Sequence, residues 1–146
     1  MALAAHDAAD RAAQLTELTE RLTGRLAIET AFFEARRPQD AAAGMEETQR
    51  LANTYRRESQ RIKADPALLA GAPLAARQAL LTATQGFETA LARHNHAVEA
   101  AKIITEGLLK AIAGEVASAR ASGAGYGAGG GAVVGDARAM ALNARA

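Results

Sequence analysis

The fold is decided by residues 74–120, which read LAARQALLTATQGFETALARHNHAVEAAKIITEGLLKAIAGEVASAR without a proline. Apolar and small side chains recur in this stretch at alternating spacings of three and four residues, a pattern that indicates an α-helix rather than a strand. The seam consists of Leu81, Thr84, Phe87, Leu91, His94, Val98, Ala101, Thr105, Leu108, Ile112 and Val116. Pro73 stands directly before it, where proline is tolerated as the first residue of a helix. One unbroken helix from Leu74 to about Arg120 is therefore predicted.

Composition extends this prediction to the whole chain. Of the 146 residues, 40 are alanine, the strongest helix former, whereas leucine, isoleucine, valine and phenylalanine together number only 27. The sequence therefore predicts an all-α protein with shallow helix–helix seams instead of a deep core. One domain is expected at this length.

Two further helices precede the long one. The first is expected from Ala8, behind the N-cap residue Asp7, to about Arg36, because Pro38 pushes Arg37 out of the helical region. Its stripe is Leu15, Leu18, Leu22, Leu26, Ile28, Phe32 and Phe33. The second is expected from Asp40 to about Lys63, with the stripe Met45, Thr48, Leu51, Tyr55, Ser59 and Ile62, followed by a single turn at 67–70. Because short connectors make antiparallel neighbours, these two helices predict a hairpin packed on the long helix.

Helix lengths predict an uncovered segment. At about 1.5 Å per residue, the three helices measure about 43, 36 and 70 Å. The long helix therefore outruns the hairpin by about 25 Å, over roughly residues 104–120. An apolar stripe without a cover from its own chain marks a partner site. The same segment carries a stripe of small residues on a different face, which is read either as tolerated surface or as a place of close approach by a partner helix: Gly107, Ala111, Gly114 and Ser118.

The end of the chain has a different character. Seven of the 13 residues from Gly123 to Gly135 are glycine, so the sequence predicts a helical domain at 1–122 and a flexible tail at 123–146. Residues 125–130 match the spacing G-x-G-x-x-G of dinucleotide-binding loops. That motif requires a strand before it and a helix after it, and here a long helix comes first, so we interpret it as low-complexity linker.

Few residues could carry chemistry. Cysteine is absent, no Glu-x-x-His motif occurs, and His94 and His96 lie two positions apart, so they cannot share a metal on a helix. No catalytic residue, metal or cofactor is predicted, and a net charge of +1 argues against nucleic acid. No segment is apolar for long enough to insert in a membrane, which predicts a cytoplasmic protein. The charges of the second helix are interpreted as a balanced, solvated face of Arg56, Arg57 and Arg61 against Glu46, Glu47 and Glu58.

A family resemblance rests on several segments together. They are Arg36-Arg37-Pro38, then residues 51–58 (LANTYRRE), then residues 62–66 (IKADP), followed by the long helix. In this arrangement the chain resembles the flagellar export chaperones of the FlgN type, in an alphaproteobacterial version. The resemblance implies a cytoplasmic, non-enzymatic chaperone that binds hook-associated proteins of the hook–filament junction and delivers them to the flagellar export apparatus. It also implies that the C-terminal part of the long helix holds the partner's terminal helix, here through Ile104, Leu108, Leu109, Ile112 and Val116.

Two other classes stay open at this point. One is a structural coiled-coil adaptor or export-apparatus component that self-associates through the long helix, which would make the protein a homodimer. The other is a helical-bundle enzyme, which the missing cysteine and Glu-x-x-His motif disfavour.

Overall fold

The computed structural model describes residues 2–126, with side chains up to Gly123. Every regular element in this range is helical, and no strand occurs in it. The elements are α1 (Ala8–Glu34), a short α2 (Pro38–Ala41) that continues into a 3₁₀ turn (Ala42–Gly44), α3 (Met45–Ala64), a short α4 (Ala67–Ala70) and α5 (Leu74–Tyr126). The predicted all-α class is thus confirmed.

Both ends of α1 have local causes. The Asp7 carboxylate accepts a hydrogen bond from the Asp10 amide at 2.8 Å, which satisfies a donor of the first turn. At the other end Arg36 adopts a left-handed conformation with φ 60°, and its amide bonds the Phe33 carbonyl while the Arg37 amide bonds that of Phe32. This is the Schellman arrangement that ends helices, here without the usual glycine. The helix therefore stops at Glu34, two residues before the predicted end.

Contacts along the helices define a bundle within residues 2–102. Pairs between α1 and α3 run in opposite directions, from Arg25–Thr48 near the connector to Arg11–Glu58 at the far end. The hairpin is therefore antiparallel, as predicted. The first half of α5 packs on it, with the Phe87 ring 4.7 Å from the Tyr55 ring.

The core of the bundle is small and made largely of leucine. Its centre is the cluster Leu15, Leu18, Leu22 and Leu51, against which Leu3, Ala52, Tyr55, Ile62, Leu80 and Phe87 pack. Threonines complete the buried face of α1, and the hydroxyl of the fully buried Thr19 donates to the Leu15 carbonyl at 2.7 Å. Because that bond stays within the helix, the seam needs no polar partner from a neighbouring element.

Within residues 2–102, three residues assigned to seams from the sequence are in fact exposed. Ile28 is 48% exposed, and the buried side of α1 continues instead through Leu26, Glu29 and Thr30. Met45 is 58% exposed because it is the first residue of α3 and lies about one turn before the part of α3 that packs in the hairpin seam. Leu81 is also 58% exposed, and its neighbour Leu80 takes the place in the core.

The chain divides into two units, one comprising residues 1–102 and the other beginning at Ile103. The described part of the second unit is the continuation of α5 to Tyr126, six residues past the predicted helix end. The predicted domain boundary at residue 123 lies in this helix, and residues 127–146 of the predicted tail lie outside the described residues.

Candidate functional site

The second unit presents a continuous row of exposed apolar side chains, which we call the α5 face. All five predicted partner-binding residues belong to it, and their exposed fractions are Ile104 50%, Leu108 59%, Leu109 61%, Ile112 49% and Val116 44%. Every residue from 102 to 123 is exposed. The five side chains are therefore exposed to solvent, as the prediction requires, while their role in partner binding stays a prediction.

Helix geometry places these side chains on one side of α5. At about 100° per residue, Ile104, Leu108, Ile112 and Val116 advance by about 40° each, and Leu109 lies beyond Val116. The five side chains together cover an arc of about 140° over about 18 Å of helix. Ile103 is 61% exposed but points roughly opposite to this arc. Ile103 is therefore an equally exposed isoleucine outside the α5 face, and it offers a control position for substitutions on that face.

The small-residue stripe lies beside the α5 face. A Cβ built on Gly107 or Gly114 would meet no atom within 4 Å other than the local helix backbone. Nothing in the described part of the fold therefore requires glycine at these two positions. Each interior glycine weakens the helix by about 1 kcal/mol relative to alanine. The stripe leaves room for a close approach of another helix.

The compact unit contains a buried ion pair that the sequence interpretation placed on the surface. Glu58 is fully buried, and its carboxylate accepts hydrogen bonds from Arg11 at 3.2 Å, Arg61 at 3.2 Å and the Leu3 amide at 3.1 Å. The expectation that Glu58 belongs to a solvated face is therefore wrong. Its spacing was the missed signal, because Leu51, Tyr55, Glu58 and Ile62 follow each other by four, three and four residues.

A second polar cluster sits at the turn of the hairpin. The guanidinium of Arg25 lies 3.3 Å from the Thr48 hydroxyl and 3.8 Å from the Glu29 carboxylate, which also accepts a bond from Thr48. A Cβ on Gly44 would stand 1.4 Å from Arg25 Nη2. The missing side chain at Gly44 thus makes room for the arginine that partners the buried Glu29.

The single histidine of the predicted seam is held in place by α1. His94 is partly buried, its ring lies 5.9 Å edge-on from that of Phe33, and Nδ1 is 3.2 Å from the Thr30 hydroxyl. That hydroxyl also donates to the Leu26 carbonyl at 2.7 Å. The position predicted for His94 in the seam is confirmed.

One further contact ties the end of α1 to α5. Arg93 donates two hydrogen bonds, of 2.8 and 2.7 Å, to the carboxylate of Glu34. These hydrogen bonds hold the pKa of the Glu34 carboxyl below its ordinary value of 4.5. The pair is solvent-facing, so it orients α1 and α5 more than it stabilises them.

The compact unit also has an open cleft of about 270 Å³. Its lining is mostly apolar, with one cation at the rim, and consists of Leu15, Tyr55, Ser59, Ile62, Lys63, Leu69, Leu80 and Thr84. Burial raises the pKa of the Tyr55 hydroxyl, opposed by its hydrogen bond with Ser59. The phenol is therefore neutral at physiological pH and acts here as a packing and hydrogen-bonding group.

Within 2–126, no three histidine, aspartate or glutamate side chains come together in a way that could hold a metal ion. No helix in this range combines the length and apolarity needed to cross a membrane.

The fold and the α5 face define a small helical-bundle protein whose long helix α5 carries uncovered apolar side chains. The chain is 56% identical over 131 residues to the flagellar basal-body protein FlbY of Caulobacter vibrioides, an alignment that covers 89% of this chain and 88% of the relative. The chain therefore belongs to the FlbY family and is a flagellum-related protein. No protein-family description and no solved structure matches it. The flagellar part of the sequence-based resemblance is thus confirmed, and the narrower assignment to FlgN-type chaperones stays a prediction.

Proposed function

We propose that this protein is a cytoplasmic flagellar export chaperone without enzymatic activity. It binds hook-associated proteins through the α5 face and delivers them to the flagellar export apparatus. Membership of the FlbY family supports the flagellar part of this proposal. The resemblance to FlgN-type chaperones supports the chaperone part.

The observation that carries the proposal is the exposure of the α5 face. Five large apolar side chains on one arc of a helix are each between 44% and 61% exposed. Contiguous apolar surface of this kind is uncommon on soluble proteins unless another molecule covers it. Burying one such side chain contributes about 1.5–3 kcal/mol, so a partner helix that covers all five would gain substantial binding free energy.

The mechanism needs only helix packing. An amphipathic terminal helix of the export substrate lays its apolar side along the α5 face. While it is covered, that helix cannot engage other copies of the substrate. Release at the export apparatus exposes it again, and no covalent step is required.

Binding of purified hook-associated proteins, measured by calorimetry, tests the proposal. The variant Leu108→Asp/Ile112→Asp places two charges on the face and is expected to weaken binding by more than about 100-fold, since each buried charge is costly. Ile103→Asp is the matched control, because it is equally exposed outside the arc and is expected to change affinity by less than about threefold. Equal losses in the two variants, or no binding by the wild type, would contradict the proposal.

The name of the relative favours a second candidate. FlbY is described as a basal-body protein, which fits a structural component that self-associates through the long helix. In that case the α5 face packs against a second copy. Light scattering distinguishes the two functions, since a stable dimer that Leu108→Asp/Ile112→Asp disrupts supports the structural component and a monomer supports the chaperone.

A further inference from the structure

Burial of Glu58 changes the charge of the outer surface of α3. Residues 48–64 contain five cations, Arg50, Arg56, Arg57, Arg61 and Lys63, and a single acid, Glu58. The sequence alone suggests that arginines and acids offset each other there. Since Glu58 is 0% exposed, however, the solvent-facing side of this segment carries positive charge only.

The five cations share one side of the helix. At about 100° per residue, they fall within an arc of about 160° opposite the core residues Leu51, Tyr55 and Ile62. Arg50, Arg57 and Arg61 form a row at spacings of seven and four residues, and Arg56 and Lys63 form a second row seven residues apart. We call this surface the α3 cationic face. It extends over about 20 Å.

Most of this charge is not neutralised by the compact unit. Within residues 2–126, Arg56, Arg57 and Lys63 form no ion pair with a carboxylate, and the contact of Arg50 with Glu46 is long, at 3.9 Å. Only Arg61 has a close carboxylate, Glu58, which it shares with Arg11. Asn53 accepts a hydrogen bond of 2.8 Å from Arg56 and so holds one guanidinium in a fixed position.

We propose that the α3 cationic face is a docking surface for an acidic α-helical segment of a partner protein. Two α-helices have the same rise per residue, so carboxylates seven and four residues apart on the partner come opposite Arg50, Arg57 and Arg61. Four of the five cations are arginine, whose planar fork can hold a carboxylate through two hydrogen bonds. This surface lies in the compact unit and is independent of the α5 face and of the function proposed for it.

The surroundings of the face favour a short acidic helix over other anions. Glu46 lies one turn before Arg50 at its N-terminal end and would repel a polyanion that runs past about 20 Å, as duplex DNA does. Its uncharged positions are polar or small, among them Gln49, Asn53 and Gln60, so it lacks the large apolar side chains that anchor a helix in a membrane interface.

Fluorescence anisotropy with a defined probe tests this inference on the full chain. The probe is a labelled alanine-based helical peptide of about 20 residues with glutamates at positions that repeat the seven- and four-residue spacing. We expect binding that weakens by about tenfold or more as salt rises from about 0.05 M to about 0.5 M. The same peptide with glutamine for glutamate is expected not to bind, and binding of both peptides alike would overturn the proposal.

Matched charge removals separate the face from the net charge of the protein. Arg56→Gln/Arg57→Gln/Lys63→Gln removes three unpaired cations and leaves the Arg61–Glu58 contact intact, and we expect it to raise the Kd by about tenfold. Arg77→Gln/Lys102→Gln/Arg120→Gln removes three cations elsewhere and should raise it by less than about threefold. Equal effects of the two variants, or tighter binding of a DNA duplex or of phosphatidylglycerol vesicles than of the peptide, would overturn the proposal.

Discussion

Leucines in the two units of this chain have opposite surroundings although all lie on helices. In the bundle, Leu22 is 2% exposed and Leu15 5%, whereas in the second unit Leu108 is 59% exposed and Leu109 61%. The residue type and the helical spacing are the same in both places. The difference shows that an apolar stripe on a helix marks a surface that another element must cover. The stripe does not indicate whether that element belongs to the same chain.

The largest expected effect comes from placing a charge at Leu22. Leu22→Asp buries an unpaired carboxylate among the leucines of the core, so we expect loss of the folded bundle, seen as a collapsed helical signal and no cooperative melt. The matched double substitution Leu108→Asp/Ile112→Asp is expected to leave the melting temperature nearly unchanged. If it melts as poorly as Leu22→Asp, the α5 face is core and the comparison fails.

The next effect concerns the buried ion pair. Glu58→Ala leaves Arg11 buried without its carboxylate, which we expect to lower the free energy of unfolding by about 3–5 kcal/mol in urea titrations. Glu47→Ala is the control, because the exposed Arg21–Glu47 pair is 3.7 Å long and such pairs contribute about 0–1 kcal/mol. If the two variants lose similar amounts of unfolding free energy, burial does not make the Glu58 ion pair more important for stability than the exposed Glu47 pair.

Glycine substitutions in the two units should change stability in opposite directions. Gly114→Ala adds a methyl group in open space and should stabilise the helix locally by about 1 kcal/mol, measurable as slower amide exchange at residues 110–118. Gly44→Ala displaces the Arg25 guanidinium from Glu29 and Thr48, so we expect a loss of about 1 kcal/mol from the bundle. A gain at Gly44 would show that the arginine relocates without loss.

The smallest effect is pH-dependent and belongs to the Glu34–Arg93 pair. Because the folded-state pKa of Glu34 is depressed, the pair stabilises the bundle fully above the ordinary value of 4.5, and this stabilisation is lost as the pH falls through the lower folded-state pKa. Glu34→Gln should therefore lower the melting temperature slightly at pH 7 and make no difference at strongly acidic pH. A deficit that persists in acid would indicate lost packing and not lost charge.

Much of the fold could be predicted from the sequence because its signals are local. Prolines at 38, 66 and 73 and the cap at Asp7 place the breaks between helices, and the three- and four-residue spacing identifies their buried sides. Helix boundaries were less accurate. The left-handed Arg36 ends α1 without a glycine, and the 3₁₀ turn Ala42–Gly44 delays the start of α3, so neither position carries the usual signal.

The charged positions were predicted less well for a physical reason. Whether Glu58 is buried depends on Arg11, 47 residues away, and on the direction in which the hairpin closes. Charge counting along a single helix cannot detect such a pair, whereas the spacing of Glu58 from Leu51, Tyr55 and Ile62 does place it on the buried side of α3. Exposure of the five α5 residues, by contrast, was predicted from helix lengths.

The antiparallel hairpin has a consequence for the order of folding. Its cross-helix contacts join residues that lie progressively farther apart in sequence, from 19 residues for Thr48–Glu29 through 23 for Arg25–Thr48 to 47 for Arg11–Glu58. Each contact shortens the loop that the next one must close, so the entropy lost at each later step is small. We expect the contacts of the hairpin to form first near Arg36 and then progressively toward its open end. Leu26→Ala should therefore slow refolding more than Leu15→Ala for a given loss of stability. Chevron analysis measures this, and the reverse ranking would mean that the open end forms first.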